Sequence, residues 1–201
     1  MTSLRTLAFS AVGATLLLTS CLSDGQTMKP PTPEQESAFV TVTTLPPAIG
    51  EGGDEGTAML VTGPWVNGTA IDARYTCDGT GVAPPLAWTS GSDKTKAYGI
   101  VLRDNDAPNF VHWVATNINP STTSIGEGSL PNGTFLAING SGKPLYAPPC
   151  PPKGSTHSYT LMVYALRSAI AVTPTSSAEH VIADMEASVL EVATTDFVYS
   201  R

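Results

Sequence analysis

Positive charge is scarce in this chain. Ten Lys and Arg face 17 Asp and Glu, leaving a formal charge of −7 over 201 residues. No stretch interleaves basic residues with aromatics, which excludes a nucleic-acid interface and gives an anionic membrane no electrostatic hold. Cysteines number three, too few for a scaffold that replaces a core with cross-links. Gly-x-Ser-x-Gly is absent, and Gly140-Ser141-Gly142 lacks the strand-to-helix setting of a nucleophile elbow. Gly142-Lys143 runs into Pro144 without the upstream glycine of a phosphate-binding loop. A calcium loop fails at Pro108, which follows Asp106 where the loop must continue, and its central glycine is missing. There is no internal repeat. With no nucleophile in evidence, hydrolysis is left only the route of a His/Asp general base, and the chain reads as a non-enzyme without cofactor.

Long apolar runs are also absent beyond the start. Arg5 precedes an apolar stretch from Leu7 to Leu18, shorter than the roughly 20 residues that span a bilayer. Leu18-Thr19-Ser20-Cys21 then resembles a bacterial lipobox: a branched apolar residue, two small residues that fit a peptidase cleft, and a cysteine whose sulfur takes the lipid. An ordinary secretory signal with a chance cysteine is the competing reading. The expectation is a lipoprotein signal peptide over residues 1–20, lipidation at Cys21, and anchoring in the bacterial cell envelope. Leu22 stands where an aspartate would retain the protein in the inner membrane, which favours the outer membrane. Losing Arg5 with the signal makes the mature chain about one unit more acidic.

Export bears on the other two cysteines. An even pair, Cys77 and Cys150, in an oxidising compartment reads as a disulfide. Two separate buried thiols are the alternative, because sequence alone does not bring their Cβ atoms together. Residues 21–57 are poor in core formers and rich in Pro, Gly, Thr and Glu, as in Pro30-Pro31-Thr32-Pro33 and Glu51-Gly52-Gly53-Asp54-Glu55-Gly56. They read as a tether, although Phe39-Val40-Thr41-Val42-Thr43-Thr44-Leu45 has strand character. Residues 58–201 remain for one domain, enough chain for a real core.

Strand signals dominate that domain. Ala97 to Arg103 is a short apolar run. In the segment from Phe110 to Ile118, period two places Phe110, His112, Val114 and Ile118 on one face. From Ser158 to Leu166 the shared face is Tyr159, Leu161, Val163 and Ala165, with the parity of His157. One helix is expected near the end, where Ser176 and Glu179 match a capping box and Val181, Met185, Val189 and Val192 recur at helical spacing. His180 falls in its exposed first turn. Trp65 and Trp88 read as core. The fold class is mostly β, with a few peripheral helices.

Chemistry concentrates in Asp104-Asn105-Asp106-Ala107-Pro108, in His112, and in His157-Ser158-Tyr159. The proline turn sends the chain back, so His112 returns close to Asp104. A carboxylate beside an imidazole favours the protonated ring, which then offers two donors to a phosphate or carboxylate. Taken singly, His112 fits equally a core histidine bonded to backbone, and the aspartates a turn-capping pair. Crowding beside a second His/Tyr strand favours a pocket. Two histidines with one or two aspartates could also form a facial set for iron or zinc, but their spacing matches no ligand motif and no metal is expected.

These segments resemble the phosphatidylethanolamine-binding protein family, in its bacterial Raf kinase inhibitor-like branch. Asp104, Asp106, Ala107 and Pro108 match the family's Asp-Pro-Asp-Ala-Pro, with Asn105 at the middle proline. Phe110, His112 and Trp113 match its aromatic-x-His-Trp. His157 and Tyr159 match its His-Arg-Tyr, with Ser158 at the arginine. Tyr75-Thr76-Cys77-Asp78-Gly79, Pro84-Pro85-Leu86-Ala87-Trp88, Leu130-Pro131-Asn132-Gly133 and Pro149-Cys150-Pro151-Pro152 are similar too, and the likeness runs from about Met59 to the C-terminus. It implies a β-sandwich of antiparallel sheets with a C-terminal helix. It further implies a pocket of Asp104, Asp106, Pro108, His112, His157 and Tyr159 for a small anion or phosphorylated head group. A protein partner, such as a peptidase or an envelope protein, is the alternative occupant of that face. Two departures bear on selectivity: Ser158 removes a cation, and Asn139-Gly140-Ser141-Gly142 lacks the acidic residue of the family's Asn-Asp-x-Gly loop.

Overall fold

The computed structural model describes residues 58–201. The lipobox with Cys21, the tether and the strand-like Phe39–Leu45 segment lie outside the described residues. The described residues fall within one compact unit.

Two antiparallel sheets form the domain. Strands β1 (Val61–Thr62), β2 (Leu86–Trp88) and β5 (Ser124–Ile125) make the smaller, in the order β1-β2-β5. The larger contains β3 (Ala97–Asp104), β4 (Val111–Ile118), β6 (Phe135–Leu136), β7 (Thr156–Leu166) and β8 (Val189–Ser200), in the order β6-β4-β3-β7-β8. Helix α1 (Ala178–Ala187) packs on the large sheet, near β4. The mostly β sandwich expected from the sequence is therefore the fold.

Each face of the large sheet buries its own cluster. One holds Ile100, Leu102, Trp113, Leu161 and Val163 together with Val61, Leu86, Trp88 and Ile125 of the small sheet. The other holds Val101, Val114 and Leu166 against Val181, Ile182 and Met185 of α1. Strand β3 is central and covered on both sides, which is why it reads as a near-continuous apolar run instead of alternating. Gly99 is required here, since a Cβ at that position would overlap the Met185 sulfur. Full burial of a side chain such as Met185 contributes roughly 1.5–3 kcal/mol.

Three expectations change in detail. The face read along β4 is split: Val114 joins the helix-side cluster and Ile118 the inter-sheet cluster. Bulges interrupt the strand at both ends, where Leu102/Arg103 pair with Trp113/Val111 and Tyr98/Ile100 pair with Ile118/Ala115. At the second bulge Asn117 takes φ +60°. The helix is capped by Ser177, whose hydroxyl accepts from the His180 amide, while the Ser176 hydroxyl accepts from Thr173. It also ends at Ala187, and Val189 and Val192 belong to β8. The segment from Val189 to Tyr199 is rich in β-branched and aromatic residues, and its alternation of Ala193, Thr195 and Phe197 inward prevails over the coincident helical spacing. His180 is exposed, Trp88 is buried, and Trp65 packs edge-on to Phe197.

Candidate functional site

Strand order alone assembles the cluster. Asp104 ends β3, directly opposite Tyr159 on β7, and His157 lies two residues before Tyr159 on the same face. His112 comes from β4, the strand on the other side of β3. Neighbouring strands are about 4.8 Å apart, so a carboxylate on the middle strand is within reach of both rings. His112 is itself the extra residue of the first β4 bulge, the one unmatched position between Val111 and Trp113. A bulge re-aims its side chain, and here it turns the imidazole toward Asp104.

Asp104 is buried, with 4% exposure. Its Oδ1 accepts from the amides of Asp106 and Ala107 at 2.9 and 3.0 Å, an Asx-type turn that shapes the following loop. Pro108 then occupies the second position of a turn closed by the Phe110 amide on the Ala107 carbonyl. Pro108 is exposed and shapes that turn; its side chain and nitrogen have no hydrogen to donate to an anion. Asp104 Oδ2 lies 2.7 Å from His157 Nδ1 and 3.8 Å from His112 Nε2. Since a carboxylate only accepts, His157 carries its proton on Nδ1.

The His112 tautomer is fixed in the same way. Its Nδ1 is 2.8 Å from the Ala147 carbonyl oxygen, so Nδ1 bears hydrogen and Nε2 faces the cluster. Burial holds this imidazole below the ordinary histidine range, against the opposing pull of the Ala147 carbonyl and Asp104. Phe110 packs edge-on to the ring at 4.7 Å and Tyr159 at 5.4 Å.

Tyr159 is fully buried and stacked on Phe197 at 5.1 Å. Its hydroxyl is buried and makes no well-formed hydrogen bond, as is also true of Trp88 Nε1 and three threonine hydroxyls among the described residues, whereas such groups are mostly satisfied. Burial first, then the charge of Asp104 and a weak, poorly aligned contact with its carboxylate, push its ionisation well above the ordinary tyrosine range. It therefore remains a neutral donor. Asp106 is exposed, and its Oδ2 accepts from the Ser158 amide at 2.7 Å and the Ser158 hydroxyl at 3.0 Å. Those two bonds, then His157, hold its carboxyl below the ordinary range. Asp104, Asp106 and His157 each place one ligating atom within 4.8 Å of the others. A cation there would compete with hydrogen bonds those groups already make, so this trio is a poor metal cradle.

Residues not singled out from the sequence hold the cluster in place. Ala147 pairs with the His112 backbone through its amide, as well as with the ring. Its segment is anchored by Tyr146, whose hydroxyl donates to Tyr75 O at 2.7 Å. The Cys77–Cys150 disulfide secures it further, with an S–S distance of 2.07 Å and a Cα–Cα distance of 5.3 Å. Asn139 is buried, and its amide donates to Leu145 O and His112 O. Gly140 lies against the Phe110 ring, where a Cβ would approach to 2.7 Å. An open cleft of about 880 Å³ between Met59, the Ser90–Lys94 loop and Leu190–Val192 is a separate feature, and none of the Asp/His residues lines it.

An antiparallel sandwich with a buried carboxylate between two histidines at one end of its central strands defines a class. The family model described as phosphatidylethanolamine-binding protein matches residues 62–200. This chain belongs to that family. It is 39% identical over 138 residues to a UPF0098 protein of Methanothermobacter thermautotrophicus, covering 65% of this chain and 91% of that one. It is also 35% identical over 113 residues to a Mycobacterium tuberculosis protein described as lipoprotein LppC, covering 55% of this chain and 56% of the relative. Among solved structures, Escherichia coli YbcL superposes with a TM-score of 0.67 at 26% identity, covering 72% of this chain and 99% of YbcL. The phosphatidylethanolamine-binding protein homologue CT736 of Chlamydia trachomatis gives 0.66 at 26%, covering 72% and 98%.

Proposed function

We propose that this chain is a lipid-anchored binding protein of the cell envelope whose Asp104/His112/His157/Tyr159 cluster receives a small anion or a phosphorylated head group. The observation that carries the reading is the Tyr159 hydroxyl, a buried donor without a partner beside two imidazoles whose Nδ1 atoms are already committed. Such a group costs stability when left unsatisfied and is accounted for if a ligand oxygen completes it. Binding is favoured over bond cleavage. Ser158, the residue following His157, has its hydroxyl bonded to Asp106 and not to an imidazole. The lipobox at Cys21 and the likeness to a protein described as a lipoprotein support anchoring through Cys21, with the outer membrane favoured by Leu22.

Titration of residues 51–201 with phosphate, acetate and phosphorylethanolamine, followed by histidine imidazole resonances, tests the reading. Saturable shifts at two histidines that vanish in His112→Ala are expected. Absence of any shift would instead favour a protein partner on this face, and an envelope pull-down unaffected by His112→Ala would identify that alternative.

A further inference from the structure

We infer that an anion enters this site together with a proton, taken up by His112. The inference rests on the anion-binding reading above and concerns what that binding requires. Neither imidazole can offer its Nδ1–H inward. His112 gives that hydrogen to Ala147 O at 2.8 Å, and His157 gives its own to Asp104 Oδ2 at 2.7 Å. What a neutral ring presents to a ligand is therefore the Nε2 lone pair, which repels an anion.

The groups facing His112 sharpen this. From β3 the buried carboxylate of Asp104 approaches Nε2 to 3.8 Å. From β7 come the Tyr159 ring and, through Asp104, His157. From the turn after β3, Phe110 covers the ring edge-on, and Asp106 stands exposed beyond. From the 139–147 loop the Ala147 carbonyl reaches the ring, while the Ala147 and Asn139 amides bond the His112 backbone carbonyl. No Lys or Arg among the described residues is paired with these groups. An incoming anion thus meets one or two carboxylates and the Nε2 lone pairs of two neutral rings, with the Tyr159 hydroxyl as an uncommitted donor. A proton on His112 Nε2 converts the repulsive lone pair into a charged donor, and the anion adds a second negative partner to a ring whose nearest carboxylate, Asp104, is shared with His157. By linkage, whatever raises proton affinity on ligation must raise ligand affinity on acidification.

The test uses the full chain in detergent and sulfate, an anion that does not itself titrate between about pH 5 and pH 8. Calorimetric titrations in buffers of differing ionisation enthalpy read the protons taken up per sulfate bound. The expected result is uptake approaching one proton near neutrality, with affinity falling roughly tenfold per pH unit there. In His112→Gln the uptake and the slope should both vanish, while His180→Gln, at the exposed histidine of α1, retains them. Sulfate binding with a flat pH profile would overturn the inference and leave the anion pocket intact. A slope that survives His112→Gln and disappears in His157→Gln would overturn the assignment to His112. Failure of sulfate to bind even at about pH 5, where the site is most protonated, would remove both the inference and the anion reading.

Discussion

Replacing Tyr159 with Phe should stabilise the empty protein, the reverse of the usual result for a buried tyrosine. The ring is fully buried and stacked on Phe197, and phenylalanine preserves both that stack and the edge contact with His112. Only the hydroxyl is lost, and its nearby acceptor, Asp104, is not at hydrogen-bonding geometry. A buried polar group left unsatisfied costs about 1–3 kcal/mol. Relaxation around Asp104 recovers part of that, so a net gain of about 1 kcal/mol is expected, or about 2–4 °C in Tm for a domain of this size. Tyr146→Phe is the built-in contrast, because its hydroxyl donates to Tyr75 O at 2.7 Å and its loss should cost about 1 kcal/mol. Thermal unfolding of residues 51–201 without added anion compares the two. Sulfate affinity of Tyr159→Phe should drop about tenfold, the worth of one good hydrogen bond. If Tyr159→Phe loses as much stability as Tyr146→Phe, the hydroxyl is satisfied in the empty state, and the reasoning that reserves it for a ligand fails.

Asp104→Asn should cost about 2–3 kcal/mol, because one charge-assisted bond is lost and the new amide opposes His157 Nδ1–H. Urea unfolding would measure the loss, and nitrogen-15 shifts should show His157 moving its proton to Nε2. Without anion, stability should decline as pH falls below about 6.5. The reason is that His112 binds its proton less readily when folded, so the unfolded chain takes up more protons in that window. The slope should approach 1.4 kcal/mol per pH unit for one proton, level off below the folded pKa, and flatten in His112→Gln. Cys77→Ser/Cys150→Ser opens a loop of 73 residues, worth about 4 kcal/mol on the chain-entropy model. It should also loosen Ala147, visible as faster exchange of the His112 Nδ1 proton. Finally, on the proposed lipid anchoring, Cys21→Ser should reduce the share of the protein that fractionates with acyl-anchored membrane proteins, read by metabolic labelling with a fatty acid.

Much of this site was legible in the sequence because it is written in side chains. Asp104, His112, His157 and Tyr159 converge as the motifs imply, and period two along β7 correctly faced Tyr159 and Leu161 toward the inter-sheet core. What stayed hidden is carried by backbone. Ala147 acts through its carbonyl and amide, and any residue type supplies those, so nothing in its identity marks it. Asn139 was noted as a loop residue, yet its anchoring of the His112 strand depends on a contact 27 positions away. The helix was overextended for another reason: Val189 and Val192 satisfy both the helical spacing from Met185 and a strand, and pairing with β7 decides between them. The β4 bulges defeated a strict alternation because two extra residues shift its parity twice.

That bulge makes architecture and chemistry separable in an unusual way. His112 is surplus to the pairing of β3 with β4, since Val111 meets Arg103 and Trp113 meets Leu102 without it. Deleting this single codon would let the two strands pair without a break at this end, leaving only the second bulge near Asn117. Descendants of such a sequence would keep the sandwich while losing its chemistry, so an alignment gap one residue wide, invisible to any comparison of overall shape, would distinguish the sterile scaffold from the working one.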